Sequence, residues 1–235
     1  VNTNNVKLPF NTIPVGIVFK GDICVTISFH KTEMFTDFVV YTQRKGKNIK
    51  DNFDLVLKLL LSSSVWYLKY LKQVNQKIKL AEDNLEESIK NEKLQALLQI
   101  EKCLVFFMTS LKGNDILLHR IKNLKSQRDS YDPELLEDVE IELRQAQETT
   151  NIYSDILTGM MDAYASVISN NLNAIMKQMT SISIILMIPT VIASLYGMNV
   201  PNNLEGNAYG LPIVILVSII LSVFGVFLFK KKRWF

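Results

Sequence analysis

Apolar residues fill the C-terminal quarter of the chain almost without interruption. Across residues 179–229 the only formal charge is Glu205. Within this stretch residues 211–229 form an uncharged run of about 19 residues, long enough to cross a hydrocarbon core of ~30 Å as a helix. An earlier apolar run ends at Tyr196-Gly197-Met198-Asn199. The pattern predicts two membrane spans joined by a short extracytoplasmic loop at residues 199–210.

One long helix is predicted to lead into the first span. Asp132 is a favourable N-cap and Pro133 suits the first helical position. The next proline is Pro189, and Gly159 between them weakens a helix without breaking it. The helix would cover residues 132–198, roughly 65 residues and about 100 Å. Such a helix needs partners, so we expect a stalk that continues as transmembrane helix 1.

The N-terminal part is polar and begins with a hairpin pattern. Two β-branched and aromatic runs, residues 14–20 and 23–29, flank Gly21-Asp22, a typical turn pair. Residues 35–41 fit either a third strand or the start of a helix. We interpret residues 1–47 as the C-terminal part of an incomplete cytoplasmic α/β domain.

Residues 48–131 are predicted to be a cytoplasmic helical region. Helical spacing of apolar residues runs from Asp51, a plausible cap, to Ala81. A second helix is expected from about residue 84 to 111, ending at Gly113, and a shorter one at 115–125.

A polar stripe runs through the predicted first span. Its members recur at alternating intervals of four and three residues, the seam period of a coiled coil. They are Ser169, Asn173, Met176, Thr180, Ser183, Met187, Thr190 and Ser194. Two interpretations remain open. The hydroxyls could bond to backbone carbonyls or neighbouring helices, as in many membrane bundles, or several copies of the helix could surround an axis and line a pore.

Charge and cysteine usage exclude several classes of function. The net charge is +3, and the basic residues are interspersed with acidic ones, which argues against nucleic acid as a partner. Cys24 and Cys103 lack metal-site spacing, so no prosthetic cofactor is expected. No phosphate-binding Gly-x4-Gly-Lys loop is present, and no nucleophile is grouped with a base, so we do not expect an enzyme.

The basic tail sets the expected orientation. Residues 230–235 include Lys230-Lys231-Lys232-Arg233 directly after the second span. Basic residues next to a span remain in the cytoplasm. We therefore expect a multi-pass cell-membrane protein, in contact with the lipid bilayer, with both termini cytoplasmic.

At Tyr196-Gly197-Met198-Asn199 the chain resembles the CorA-type magnesium transporters, a two-span family with a Gly-Met-Asn signature at the end of the first span. The resemblance implies a mainly α fold, a funnel-shaped homopentamer and passive uptake of hydrated Mg²⁺, with Co²⁺ and Ni²⁺ as further candidates. It also implies that this chain is N-terminally truncated. Mg²⁺ would be the substrate and a regulatory ligand.

The resemblance assigns roles by position. Gly197, Met198 and Asn199 would form the selectivity filter, and Glu205 would attract cations to the outer loop. The pore lining and gate would comprise Asn173, Met176, Met179, Thr180, Ser183, Met187 and Thr190. Asp138 and Asp162 would bind regulatory metal, although Asp138 also fits an ordinary solvated helix face.

Two other functions compete with this one. A Zn²⁺ transporter of the same superfamily would share the architecture, although such relatives often change the residue at Met198. A non-transporting two-span coiled-coil scaffold would gain more from Leu and Ile at the stripe positions than from hydroxyls.

Overall fold

The protein is described by a computed structural model covering residues 8–21, 23–45, 49–82, 91–123, 132–198 and 208–232. It is mainly helical, with one small sheet near the N-terminus, which confirms the predicted fold class. The elements in chain order are β1 (Val15–Lys20), β2 (Ile23–Ser28), α1 (Glu33–Lys45), α2 (Asn52–Glu82), α3 (Asn91–Lys122), α4 (Pro133–Tyr196) and α5 (Gly210–Lys231).

The predicted hairpin is present. Strands β1 and β2 pair antiparallel, in a register from Val15 opposite Ser28 to Lys20 opposite Ile23. Gly21 has a φ of 55°, in the left-handed region where the absence of a Cβ removes the steric penalty. The other turn residue, Asp22, lies outside the described residues. The segment left open between strand and helix, residues 35–41, is helical and belongs to α1.

Helix α2 begins where its cap was predicted. The Asp51 side chain accepts a hydrogen bond from the backbone N–H of Asp54, with an N–Oδ1 distance of 2.8 Å. The Asp51 carbonyl accepts another from the N–H of Leu55, at 3.2 Å. A side-chain oxygen at this position satisfies one of the N–H groups that the first turn leaves without a partner.

The predicted break at Gly113 is wrong, because α3 continues through it to Lys122. Leu111 before the glycine and Leu118 after it are both buried in one apolar cluster. A glycine inside a helix costs about 1 kcal/mol, whereas burying one leucine side chain contributes about 1.5–3 kcal/mol. Packing on both sides therefore outweighs the local preference. The predicted start near residue 84 lies outside the described residues.

The core lies where α2 and α3 pack with the first half of α4. Buried residues of α4 recur at intervals of three and four, a coiled-coil seam that contributes to both apolar clusters. They are Val139, Leu143, Ala146, Thr150, Leu157, Met160 and Tyr164, with the half-buried Tyr153 between Thr150 and Leu157. At the end of this seam the Tyr164 hydroxyl donates a hydrogen bond to the Ala81 carbonyl, at 3.1 Å. An ion pair of Lys122 with Glu140 also joins α3 to α4.

The chain divides into two compact units, Val1–Tyr164 and Ala165–Phe235. The division falls inside α4, whereas the sequence placed a domain boundary at residue 132. The reason is the buried seam, which assigns the first half of α4 to the same core as α2 and α3.

We expect Gly113→Ala to stabilise the protein. A Cβ at this position would meet no atom within 4 Å, so the substitution removes only the entropic cost of a helical glycine, about 1 kcal/mol. Thermal unfolding in detergent, followed by circular dichroism, should show a melting temperature about 2–4 °C higher. The contrasting variant Gly21→Ala should lower it, because residue 21 has a positive φ. An unchanged or lower value for Gly113→Ala would contradict this explanation.

Candidate functional site

The polar stripe lies on an open face of α4. Every member from Ser169 to Ser194 is exposed in the single chain. Met176 is 66% exposed and Met187 is 61% exposed. The serine, threonine and asparagine side chains therefore share a surface that no described residue covers.

The opposite face of α4 packs against α5. A Cβ added to Gly225 of α5 would lie 3.5 Å from Cδ1 of Ile188 and 3.6 Å from Cγ1 of Ile185. At 3.6 residues per turn, the centre of the stripe is about 150° around the helix from these two isoleucines. The second span is therefore on the side away from the polar stripe. That geometry leaves the stripe available to water or to other copies of the chain.

A groove between the outer halves of α4 and α5 has a volume of about 590 Å³. Pro189, Ala193 and Tyr196 line it from α4, and apolar residues of α5 line it from the other side. The Ser222 hydroxyl is buried and has no hydrogen-bond partner.

Two of the stripe hydroxyls bond to their own helix. Ser183 Oγ donates to the Met179 carbonyl at 2.9 Å, and Thr190 Oγ1 donates to the Leu186 carbonyl at 3.1 Å. These are the backbone bonds expected of hydroxyls in a membrane bundle. Each hydroxyl oxygen has two lone pairs, and because its hydrogen is used internally, it presents only acceptors to the open face.

Met179 lies beside the stripe rather than on it. Its side chain is 64% exposed, and its position is about 60° around the helix from the centre of the stripe. Met176 lies on the stripe itself. The two thioethers thus form one apolar band across the open face, between the polar residues Asn173 and Thr180.

Helical hydrogen bonding extends to the signature. The Gly197 N–H still donates to the Ala193 carbonyl at 2.9 Å, and Gly197 is not among the glycines with positive φ. A Cβ here would lie 3.2 Å from the Ala193 carbonyl oxygen. A side chain at residue 197 would therefore approach the Ala193 carbonyl oxygen closely, whereas no positive φ calls for glycine at this position. Met198 is 53% exposed, while Asn199 and Glu205 lie outside the described residues.

Asp138 lies at a cleft of about 440 Å³ between the start of α4 and the start of α2. Lysines already form ion pairs with two carboxylates there. Lys58 Nζ lies 2.6 Å from Asp54 Oδ2, and Lys50 Nζ lies 3.4 Å from Asp132 Oδ2. The cleft is thus partly neutralised within one chain.

The other predicted regulatory carboxylate, Asp162, is exposed. Among the described residues, no three His, Cys, Asp or Glu side chains are grouped to hold a metal ion. Regulatory metal binding at Asp138 and Asp162 stays a prediction.

Three described helices are long and apolar enough to cross a membrane by length and composition: α4, α5 and the segment Leu94–Lys122 of α3. Phe107 and Leu104 of α3 are buried in the core formed with α2 and α4. Packing within the first unit accounts for the apolar character of α3, so we retain α4 and α5 as the spans.

The sequence interpretation did not single out the buried Ser181 in the second unit. Ser181 is fully buried, and Ile185, Ile188 and Ile192 are half-buried, at intervals of four, three and four. The signal was available as a serine within a run of isoleucines. It was overlooked because the exposed stripe has the same period.

Comparison with known proteins gives concordant results. A model of the family described as CorA-like Mg²⁺ transporter protein matches residues 1–231. A cobalt/magnesium transport protein CorA from Methanocaldococcus jannaschii is 25% identical over 228 residues, covering 95% of this chain and 72% of the relative. One from Thermotoga maritima is 29% identical over 188 residues, covering 79% of this chain but only 54% of the relative.

A solved structure shows the same fold. The complete structure of the CorA magnesium transporter from Methanocaldococcus jannaschii aligns with a TM-score of 0.72 at 24% identity, covering 95% of this chain and 76% of that one. The matched family consists of ion transporters, which confirms the expectation that this chain is not an enzyme.

We expect Gly225→Leu to disrupt the α4–α5 contact. A Cβ at residue 225 is already at van der Waals distance from Ile185 and Ile188, so a branched side chain would overpack the contact at a cost of about 1–3 kcal/mol. Gly225→Ala should be tolerated. Val226→Leu is the matched control, because Val226 is 44% exposed. Thermal stability in detergent should fall only for Gly225→Leu, and equal stability of the two leucine variants would contradict the packing.

Proposed function

The chain belongs to the CorA-like Mg²⁺ transporter family, and on that premise we propose that it is a passive channel for hydrated Mg²⁺ formed by a ring of five copies. Relatives named for cobalt and magnesium transport support the substrate class. Co²⁺ and Ni²⁺ are the further ions expected to pass. The family match and the apolar helices α4 and α5 already identify a membrane protein of a divalent-cation transporter family.

The open polar stripe of α4 carries this proposal. A polar face is unfavourable against lipid, and α5 packs on the other side of the helix. Copies of α4 arranged about an axis would place the stripe in water and leave α5 as an outer ring facing the bilayer. In this arrangement Asn173, Thr180 and Thr190 line the pore with the other stripe residues.

The hydrogen bonding of the stripe suits a hydrated cation. Mg²⁺ gives up its water ligands reluctantly, so the species in the pore presents outward-pointing water hydrogens. Ser183 and Thr190 direct their hydrogens to backbone carbonyls and offer acceptor lone pairs to the open face. Neutral acceptors bind the hydration shell weakly enough to release it, whereas a ring of carboxylates would retain the ion.

The membrane potential supplies the driving force. Moving one elementary charge through ~100 mV is worth about 2.3 kcal/mol, so a divalent ion gains about 4.6 kcal/mol. Inward flux needs no nucleotide if the cytoplasm is negative. By the positive-inside rule, the basic residues Lys230, Lys231 and Lys232 at the end of α5 support a cytoplasmic location for both termini.

Selectivity is assigned to Gly197, Met198 and Asn199 at the outer end of the first span. Carbonyl oxygens of an Asn199 ring would accept hydrogen bonds from the water ligands of Mg²⁺ without stripping them. Glu205 in the outer loop would raise the local cation concentration.

The gate is assigned to the thioether band. Met176 and Met179 from five chains would form an apolar constriction that closes by excluding water. Met187, 61% exposed, would line the pore further along.

Regulation by Mg²⁺ at Asp138 would need a carboxylate from a neighbouring copy. Within one chain, Lys50 and Lys58 already offset part of the acidic charge in this cleft. Asp162 is the second regulatory candidate.

The ring predicts that stripe residues of different copies face one another. In a Cys24→Ser background, Ser183→Cys should yield cross-linked oligomers up to five chains when a short bifunctional thiol reagent is added in membranes. The control Ile213→Cys, placed on an exposed apolar position of α5, should cross-link poorly. Equal cross-linking at the two positions, or a single monomeric mass in detergent, would refute the ring.

Uptake should depend on Asn199. Asn199→Ala should lower Mg²⁺ influx into proteoliposomes by at least about 100-fold, since losing a polar ring of several hydrogen bonds costs more than about 3 kcal/mol. Asn199→Asp should bind the ion more tightly and slow its release. Influx is measured with an internal Mg²⁺ dye under a fixed potential and normalised to assembled oligomer. Normal influx through assembled Asn199→Ala would disprove the filter, and uptake of Zn²⁺ without Mg²⁺ would support the zinc-transporting alternative.

A further inference from the structure

The methionines fall into two groups by exposure. The chain has 8 methionines. Those in the second unit are widely exposed: Met176 by 66%, Met179 by 64%, Met187 by 61% and Met198 by 53%. Those in the first unit, Met34, Met108 and Met161, are half-buried, and Met160 is buried.

Exposed methionine carries a chemistry that the transport proposal does not use. Its thioether is oxidised to a sulfoxide, which turns a flexible apolar side chain into a polar one and is reversed by methionine sulfoxide reductases. The change matters most where function depends on an apolar surface. In this chain that surface is the band of Met176 and Met179, since a dewetted constriction conducts once it becomes polar.

We propose that Met176 and Met179 form an oxidation-sensitive site through which hydrogen peroxide opens the constriction. The inference rests on the proposed function. A sulfur lone pair attacks one peroxide oxygen, the O–O bond breaks, the S–O bond forms and, after proton transfer, water leaves. Each methionine is oxidised by two electrons and one peroxide is reduced.

The surroundings of the pair favour this reaction. Asn173 and Thr180, both exposed, lie three residues before and four residues after Met176, so water reaches the edges of the apolar band. Hydrogen peroxide is uncharged and close to water in size, and it can follow the same path. The Met179 carbonyl is held by Ser183 Oγ at 2.9 Å, so oxidation alters the side chain while the helix backbone keeps its hydrogen bonds.

The test measures both oxidation and leak in proteoliposomes under closed-state conditions, with high internal Mg²⁺. Peptide mass spectrometry after graded peroxide exposure should show Met176 and Met179 oxidised well before Met160. Leak of the wild-type chain should rise by about tenfold, equivalent to about 1.4 kcal/mol in barrier. Methionine sulfoxide reductases A and B should reverse the rise, which excludes cysteine oxidation as its cause. Each flux is expressed relative to the same protein before treatment.

Variants locate the effect. Met176→Leu/Met179→Leu keeps apolar side chains that peroxide does not oxidise, and its relative leak should stay flat. Met34→Leu/Met108→Leu, at half-buried positions outside the proposed pore, should retain the rise. Met176→Gln/Met179→Gln introduces polarity without peroxide and should leak from the outset.

Three results would overturn the inference: a tenfold rise in the Met176→Leu/Met179→Leu protein, no rise in a wild type that carries both sulfoxides and still conducts Mg²⁺ at low internal Mg²⁺, or oxidation of Met160 ahead of the pair. Failure of the transport proposal gives a different pattern. Neither wild type nor any variant would then carry Mg²⁺, before or after peroxide treatment. Mass spectrometry would still report the order in which the methionines are oxidised.

Discussion

The seam of buried residues along α4 is the constraint on which the rest of this protein depends. In the first unit, Leu157, Met160 and Tyr164 recur at intervals of three and four and pack in one cluster with residues of α2 and α3. In the second unit, Ile185 and Ile188 with the same kind of spacing contact Gly225 of α5. Because Ile185 and Ile188 contact α5 within the chain, the face of α4 that carries the stripe stays exposed among the described residues and is available for assembly or for solvent. The position of the open stripe on α4 thus follows from which face of the helix packs against α5.

Hydrogen bonding explains how such a polar face coexists with a span. A helix satisfies its backbone internally, which is the condition for crossing a bilayer. Ser183 and Thr190 direct their hydroxyl hydrogens to carbonyls of the same helix, so neither carries an unsatisfied donor. The lone pairs left on these hydroxyl oxygens are uncharged acceptors that bind water weakly. Such acceptors suit the water ligands of a hydrated ion that moves through the pore. The same chemistry would serve a helix–helix contact, and it is the orientation away from α5 that favours the pore.

Sequence spacing was a good guide wherever local signals and packing agreed. Asp51 caps α2 as its residue type suggests, and Gly21 occupies the positive φ that a hairpin turn requires. The pattern failed where packing overrode a local preference. Gly113 was expected to end a helix, but Leu111 and Leu118 on either side hold α3 in the core. The backbone at Gly197 needs no glycine conformation, and only the 3.2 Å approach to the Ala193 carbonyl oxygen distinguishes that position.

The amino-acid sequence by itself determined the two apolar spans, the long helix before them and the period of the polar stripe, because hydropathy and helical spacing are local properties. It also contained the signature that indicated the family. Only the tertiary structure decided which face of α4 is open, that Ser181 is buried while Ser183 is exposed, and that the first half of α4 belongs to a core with α2 and α3. Two faces of a helix can have the same period, and composition alone does not say which one a neighbour covers. That choice depends on which side chains complement each other in shape, and a small residue such as Gly225 is what allows α5 to approach the isoleucine face.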